Sequence, residues 1–203
     1  MGELIVLAER LAHRGRPVPG CRPVFFFDLA CPFSYLAAER VERVLGEVDW
    51  VPVNGATLYR GTAGAAVPRT PLRAERRAAE LRLPLVWPER AGHPVPAAMR
   101  ATAWAAQAGA GARFALPASR LAFCGGFDLE DPVTIGEAAA AAGLSPRHCL
   151  AAVADRHWDA VLEDGARSLR GRGIRELPVV GRGRRMLAGE QAVAQAAPLA
   201  PAG

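Results

Sequence analysis

Cys31 is the residue with the clearest capacity for chemistry in this chain of 203 residues. It follows the apolar run Val24–Phe27 after three residues, and it directly precedes Pro32 and a stretch with helical periodicity. A strand that turns into a helix at a cysteine places the sulfur near the unpaired N–H groups of the helix start. Such a position can lower a thiol pKa from about 8.5 to roughly 3.5–7.5, and the thiolate is the nucleophile. We therefore expect Cys31 to react at neutral pH.

Three neighbours of Cys31 bear on this chemistry. Pro32 suits the first helical position, because the N–H that proline lacks would be unpaired there anyway. Ser34 lies one turn into the helix, where its hydroxyl can reach the sulfur or a bound substrate. Asp28 either tunes Cys31 or is a simple turn residue, and the sequence leaves both interpretations open. It also leaves open that Cys31 is an inert core cysteine, as most cysteines are.

The elements around Cys31 predict a strand–helix–strand unit followed by a long helical block. A second strand at 48–53 after the helix implies a parallel crossover. Apolar periodicity then predicts helices in the following segments: 73–83, 97–108, 118–123, 132–142 and 146–169, the last with a break. The chain returns to strands at 177–180 and 184–187 around a turn at 181–183, and a last helix follows at 189–197. Residues 1–22 are predicted to be an N-terminal extension.

Composition excludes several other classes of function. No uninterrupted apolar stretch reaches the roughly 18 residues of a membrane span, and the first residues lack the order of a secretory signal, so we expect a cytoplasmic protein. The net charge is +5 and every basic residue is Arg, but aromatic residues are not interleaved with them, which argues against a nucleic-acid partner. The four histidines lack metal-ligand spacing, and the four cysteines form no C-x-x-C pair.

Residues 26–37, Phe-Phe-Asp-Leu-Ala-Cys-Pro-Phe-Ser-Tyr-Leu-Ala, resemble the active-site segment shared by DsbA-like oxidoreductases, 2-hydroxychromene-2-carboxylate isomerases and kappa-class glutathione transferases. The helical block resembles the insertion of the isomerase branch at 83–84, 87–88, 99–101 and 123–144. Leu177-Pro178 resembles the segment with a cis-proline that faces the active-site turn, and Gly189-Glu190 resembles the opening of the last helix. The resemblance implies an α/β, thioredoxin-like fold with a large all-helical insertion. The thioredoxin-like domain would comprise 23–60 and 173–203, and the insertion 61–172.

The resemblance also implies roles for individual residues. Cys31 and Ser34 would be catalytic, and the substrate would be bound by Pro32, Phe33, Leu177, Pro178, Gly189 and Glu190. A cis bond before Pro178 would expose the backbone of residue 177 to an extended peptide or a glutathione-like tripeptide. No tightly bound cofactor is implied, but glutathione or another low-molecular-weight thiol would be a cosubstrate. Members of these families commonly pair as homodimers.

Departures from the family pattern leave three functions to consider. Ser34 stands where oxidoreductases carry a second cysteine, so an internal disulfide cannot form there. The leading hypothesis is a thiol–disulfide oxidoreductase with one active thiol, for which Cys124 or Cys149 is either a core residue or a resolving thiol. The alternatives are a thiol-dependent isomerase or transferase, and a non-catalytic binding module. The glutathione-using members also carry an Asn in the loop that corresponds to 59–64, which lacks one here, and an acid for which Glu190 could substitute.

Overall fold

The computed structural model describes residues 22–60 and 71–197. The predicted N-terminal extension therefore lies outside the described residues except for Arg22, as does the loop 59–64 except for Tyr59 and Arg60. The described strands are β1 (Val24–Phe27), β2 (Asp49–Pro52), β3 (Val179–Arg182) and β4 (Arg185–Ala188). The described helices are α1 (Pro32–Leu45), α2 (Gly55–Tyr59), α3 (Pro71–Leu81), α4 (Pro96–Gln107), α5 (Gly111–Phe123), α6 (Pro132–Ala141), α7 (Pro146–Ala154), α8 (His157–Gly171) and α9 (Ala192–Ala196).

The four strands form one mixed sheet in the order β2-β1-β3-β4. β1 pairs in parallel with β2, with Phe25 opposite Trp50, and the crossover through α1 confirms the predicted strand–helix–strand unit. β3 pairs antiparallel with β1, and β4 pairs antiparallel with β3. Phe25, Phe26 and Phe27 are all buried, as expected for a strand covered on both faces. The predicted thioredoxin-like fold with a helical insertion is thereby confirmed.

Helix boundaries differ from the prediction at a proline inside α5 and at the short helix α2, which precedes the insertion. α5 begins at Gly111 and runs through Pro117, whereas the pattern predicts a helix only over 118–123. Pro117 has no N–H to donate to the helix. The helix continues through it because Phe114 and Ala115, in the preceding turn, are fully buried and pack against the core. The short helix α2, which the sequence does not predict, begins where the Asn54 side chain accepts from the N–H of Thr57. The expected break in 146–169 is confirmed between α7 and α8.

Two glycines move the boundaries near the C-terminus. The turn between β3 and β4 lies at 183–184, two residues later than predicted, because Gly183 has a φ of +61° while Gly181 remains in the strand. The last helix begins at Ala192 rather than at Gly189. Gly189 has a φ of +87°, a left-handed conformation that cannot start an α-helix. Gly189 and Glu190 therefore belong to the loop that precedes α9.

The insertion helix α4 packs against β2 and is fastened to α8 by a partly buried ion pair. Arg100 donates from Nε to Asp159 Oδ1 at 2.7 Å and from Nη2 to Oδ2 at 3.0 Å, and its Nη1 donates to the Val153 carbonyl at 3.1 Å. The hydrogen bond from Arg100 is the main cause that lowers the pKa of Asp159. The guanidinium is therefore fully engaged between two helices.

Replacing Arg100 by Leu should lower the free energy of unfolding by about 2 kcal/mol, because charge-assisted hydrogen bonds are lost and Asp159 keeps only its longer contact with the exposed Arg156. Since the pKa of Asp159 is lowered in the folded state, the pair stabilises the fold above the ordinary Asp pKa of about 3.9 and its contribution fades as the pH falls below it. Urea titrations at pH 7 and at acid pH measure both effects. Arg156→Leu is the matched control, because Arg156 contacts the same carboxylate from an 81% exposed side chain. A loss that is independent of pH would contradict the ion-pair account.

Candidate active site

Cys31 occupies the N-cap position of α1, with Pro32 at the first helical position as predicted. Its N–H donates to the Asp28 carbonyl at 3.1 Å, and its own carbonyl accepts from the N–H groups of Ser34 at 3.0 Å and Tyr35 at 3.2 Å. The turn is thus closed on both sides of the cysteine by backbone hydrogen bonds. Cys31 is only 7% exposed, and Ser34 and Phe33 are buried beside it.

Burial reverses the expected direction of the Cys31 pKa. Desolvation is the largest influence and raises the pKa of the thiol, a hydrogen bond from the Ser34 side chain lowers it, and the negative charge of Asp28 raises it further. The net result is a raised pKa, so the expectation of a thiolate at neutral pH is wrong. The helix start supplies favourable N–H groups, but the sulfur at this start is enclosed, and a buried charge loses its hydration.

Asp28 ties the cysteine turn to the start of α2. Its Oδ1 accepts from the Ala30 N–H at 2.8 Å, and its Oδ2 accepts from the Gly55 N–H at 2.7 Å. Burial raises the pKa of Asp28, while these two hydrogen bonds lower it. Both interpretations that the sequence left open therefore apply, since the carboxylate shapes the turn and its charge opposes ionisation of Cys31.

The helical insertion also contacts the cysteine turn. The N–H of Leu29 donates to the Met99 sulfur of α4 at 3.3 Å. This contact joins residues that are 70 positions apart in the sequence. The insertion is therefore part of the framework that positions Cys31.

The segment Leu177-Pro178 is a cis peptide bond, as the resemblance implied. Val179, the next residue, pairs with Phe26 of β1, which brings Pro178 to the end of β1 where the cysteine turn begins. The Pro178 carbonyl accepts from the Gly189 N–H at 2.8 Å. These contacts bring Leu177, Pro178 and Gly189 into one cluster at this end of the sheet.

Tyr59, at the end of α2, interacts with Cys31, Asp28 and Leu177, and sequence analysis did not identify it as a site residue. Burial raises its pKa most, the charges of Cys31 and Asp28 raise it further, and a hydrogen bond with the Leu177 backbone lowers it. The phenol is therefore neutral at physiological pH. Its hydroxyl engages the backbone that sequence analysis assigned to a substrate. No local pattern marks this tyrosine, because its partners are distant in sequence.

Arg73 of α3 is a second site residue that the sequence did not reveal. Its Nε donates to Glu190 Oε2 at 3.1 Å, and its Nη2 lies at 3.1 Å from the same oxygen. The guanidinium carbon also lies 5.5 Å from the centre of the Phe33 ring, within range of a cation–π interaction. Arg73 thus joins the cysteine motif to the segment that precedes α9. Glu190, which could substitute for the family's acidic anchor, is paired with Arg73.

The other described cysteines have different surroundings. Cys124 lies at the end of α5, with its sulfur 3.2 Å from the Tyr35 hydroxyl, which donates to the Pro84 carbonyl at 2.8 Å. Tyr35 is one helical turn beyond Cys31 on α1. Cys149 is buried in α7, where desolvation raises its pKa to about 11. All three described cysteines are free thiols, and a resolving role for Cys124 or Cys149 stays a prediction.

No group of three or more His, Cys, Asp or Glu side chains in ranges 22–60 and 71–197 could hold a metal ion. None of the helices in these ranges combines the length and the apolar character needed to cross a bilayer.

The geometry can be compared with known proteins. The family model of the DSBA-like thioredoxin domain matches residues 24–198. The chain belongs to this family. A crystal structure of 2-hydroxychromene-2-carboxylate isomerase superimposes with a TM-score of 0.69 at 15% identity, covering 86% of this chain and 92% of the other. A probable DsbA oxidoreductase from Streptomyces coelicolor gives 0.66 at 17% identity, covering 86% of each chain.

A third structure of this DSBA-like group is the cytosolic disulfide reductase DsbM from Pseudomonas aeruginosa with GSH. It superimposes with a TM-score of 0.58 at 18% identity and covers 82% of this chain and 88% of its own. No curated protein matches the sequence. At these identities the structures share the fold with this chain, so the reaction has to be argued from the residues of its own site.

Proposed function

We propose that this DSBA-like protein is a thiol–disulfide oxidoreductase that uses Cys31 as its single active thiol. The observation that carries the proposal is that Cys31, at the start of α1, and the cis Leu177-Pro178 segment lie at the same end of the sheet, because Val179 pairs with Phe26 of β1. Gly189 bonds to Pro178, and Arg73 joins Glu190 to Phe33 of the cysteine motif. A disulfide that lies along Leu177 would present its sulfur to Cys31. Pro32 and Ser34 would hold the start of α1 against it.

The reaction balances with one external thiol. The Cys31 thiolate attacks one sulfur of a substrate disulfide, the sulfur–sulfur bond breaks, and the departing sulfur takes up a proton. The resulting mixed disulfide is attacked at the substrate sulfur by the thiolate of a small thiol, and Cys31 is released as a thiol. The small thiol is oxidised and the substrate sulfur that departed is reduced. Ser34 supports the Cys31 sulfur through its hydrogen bond in both steps.

Glutathione or another low-molecular-weight thiol is the proposed cosubstrate, with no tightly bound cofactor. The DsbM structure contains GSH, and DsbM is cytosolic. Both facts support a small-thiol cosubstrate and a cytoplasmic location for the present protein. A homodimer remains part of the proposal. Its test is the mass in solution by light scattering.

Incubation with glutathione disulfide should add one glutathione to Cys31, and reduced glutathione should remove it. Intact-mass and peptide mass spectrometry measure both steps. Cys31→Ser should lose the adduct entirely, whereas Cys21→Ser, Cys124→Ser and Cys149→Ser should retain it, because each of these three variants keeps Cys31. An adduct that forms mainly on a cysteine other than Cys31 would contradict the proposal, and absence of any adduct would leave a binding module as the better explanation.

A second candidate is a thiol-dependent isomerase or transferase, and the raised pKa of Cys31 favours it. A protonated thiol can donate its S–H to the thiolate of a bound cosubstrate, which makes that thiolate available to an electrophile. A serine hydroxyl can make the same contact. The two functions therefore differ in one variant: Cys31→Ser should retain glutathione-dependent turnover of an electrophile such as 1-chloro-2,4-dinitrobenzene if the second is correct.

A further inference from the structure

Arg73 carries hydrogen-bonding capacity that Glu190 does not use. Both contacts with Glu190 involve Nε and Nη2 and converge on one carboxylate oxygen. A guanidinium group has five N–H donors in a fixed plane, so the donors on Nη1 remain available for another hydrogen bond. Among residues 22–60 and 71–197, Nη1 has no hydrogen-bond partner. The Arg73 side chain is 35% exposed, so a ligand can reach it.

The contact with Phe33 fixes where this donor lies relative to the reacting sulfur. Phe33 is two residues after Cys31 in the motif, and its ring lies beneath the guanidinium at 5.5 Å. Phe33 is 9% exposed, so it holds Arg73 in place against a packed surface. Glu190 orients the guanidinium from the other side. Phe33 and Glu190 therefore hold Arg73 near the cysteine turn, and its Nη1 group is left for a ligand.

The electrostatic surroundings of Arg73 favour an anion. Arg77, one turn further along α3, contacts Gln191 at 3.3 Å and Glu80 at 2.8 Å. Burial lowers the pKa of Arg40 on α1 most, and the positive charges of Arg77 and Arg43 lower it further. Positively charged side chains therefore lie close together where α1 meets α3. Arg40 and Arg77 therefore add positive charge near Arg73, while Glu80 and Glu190 are already engaged by Arg77 and Arg73.

We propose that Arg73 is a specificity-determining residue that selects a small thiol or disulfide carrying a carboxylate, and that Glu190 positions Arg73 instead of anchoring an ammonium group. This inference rests on the proposed function for the reaction at Cys31. The carboxylate accepts hydrogen bonds from the Nη1 side of the guanidinium while the ligand sulfur meets Cys31. A thiol without an anionic group loses this contact, and a cationic thiol is repelled.

The test uses full-length protein with Cys31 loaded as the mixed disulfide with 2-mercaptoethanol. Its release is timed with N-acetylcysteine, which is anionic, with 2-mercaptoethanol, which is uncharged, and with cysteamine, which is cationic. Each variant is compared with the wild type for the same thiol, so that differences in intrinsic thiol reactivity cancel. Arg73→Met should slow release by N-acetylcysteine about tenfold, as for one charge-assisted hydrogen bond, and leave release by 2-mercaptoethanol within about twofold.

Two further variants separate the roles of Arg73 and Glu190. Arg76→Met is the matched control, since Arg76 lies on the same helix, has a 73% exposed side chain and pairs with Glu80. The rates with all three thiols should be unchanged in this variant. Glu190→Gln should maintain or increase the rate with N-acetylcysteine, because it leaves Arg73 with a weaker competitor. A selective slowing of cysteamine by Glu190→Gln, or an equal slowing of all three thiols by Arg73→Met, would overturn the inference.

Binding without reaction distinguishes failure of this inference from failure of the proposed function. Calorimetry with the Cys31→Ser protein and S-methylglutathione needs no redox step, and Arg73→Met in that background should weaken binding about tenfold. Equal affinity in both proteins would overturn the role of Arg73 even if Cys31 proves to be redox-active. Salt dependence provides a check on the wild-type protein alone. The rate at which N-acetylcysteine releases the mixed disulfide should fall as salt rises to about 0.5 M, while the rate with 2-mercaptoethanol should stay constant.

Discussion

Alkylation of Cys31 by iodoacetamide should accelerate about a hundredfold between pH 6.5 and 8.5, because the thiolate fraction rises tenfold for each pH unit below the pKa. The physical reason is the raised pKa of this thiol, for which desolvation is the largest cause. Peptide mass spectrometry follows Cys31 separately from the other cysteines. The raised pKa also affects stability. Because the folded state holds the proton more tightly than the unfolded state, the free energy of unfolding falls once the pH rises above the pKa of the unfolded thiol.

The outcome bears directly on the two candidate reactions. A continuous rise through pH 8.5 would describe a thiol that is protonated at rest, which reacts with disulfides through its minor ionised form or donates to a cosubstrate. A plateau below pH 8 would contradict the effect of burial and show that the helix start controls the sulfur. Cys149 is an internal control, since it lies buried in the first turn of α7 and desolvation raises its pKa to about 11.

Gly55→Ala should lower the free energy of unfolding by about 1–3 kcal/mol and change the reactivity of Cys31 at the same time. A Cβ at position 55 would lie 2.7 Å from Asp28 Oδ2 and 3.3 Å from Tyr59 Cε2. The methyl group must displace Asp28, Tyr59 or both, and the charge of Asp28 is one of the causes that raise the pKa of Cys31. If Asp28 moves away, its negative charge no longer opposes the thiolate and alkylation at pH 7 should become faster.

Gly171→Ala is the matched control for this substitution. Gly171 is also a helical glycine, and a Cβ there would meet nothing within 4 Å. The control should leave Cys31 reactivity unchanged and stabilise the fold slightly, because Ala loses less backbone entropy on folding. Denaturant titration and alkylation rate are measured on both proteins. Unchanged alkylation in a destabilised Gly55→Ala would show that Asp28 does not influence ionisation of the Cys31 thiol.

Local sequence determined the elements that surround Cys31. An unbroken run of three phenylalanines predicts a buried strand, and Pro32 after Cys31 predicts a helix start, and both are present. The cis bond at Leu177-Pro178 followed from resemblance to a family, because composition alone favours a trans bond there. These predictions succeeded because each depends on a few neighbouring residues.

Tertiary structure alone decided how the site is assembled and what state its thiol adopts. Arg73 and Glu190 are 117 residues apart in the sequence, and their pairing depends on how α3 packs beside the loop before α9. The direction of the Cys31 pKa depends on burial, which arises from elements throughout the chain and carries no local signature. A helix start is a local feature that favours the thiolate, whereas desolvation depends on everything that covers the sulfur, and here it dominates.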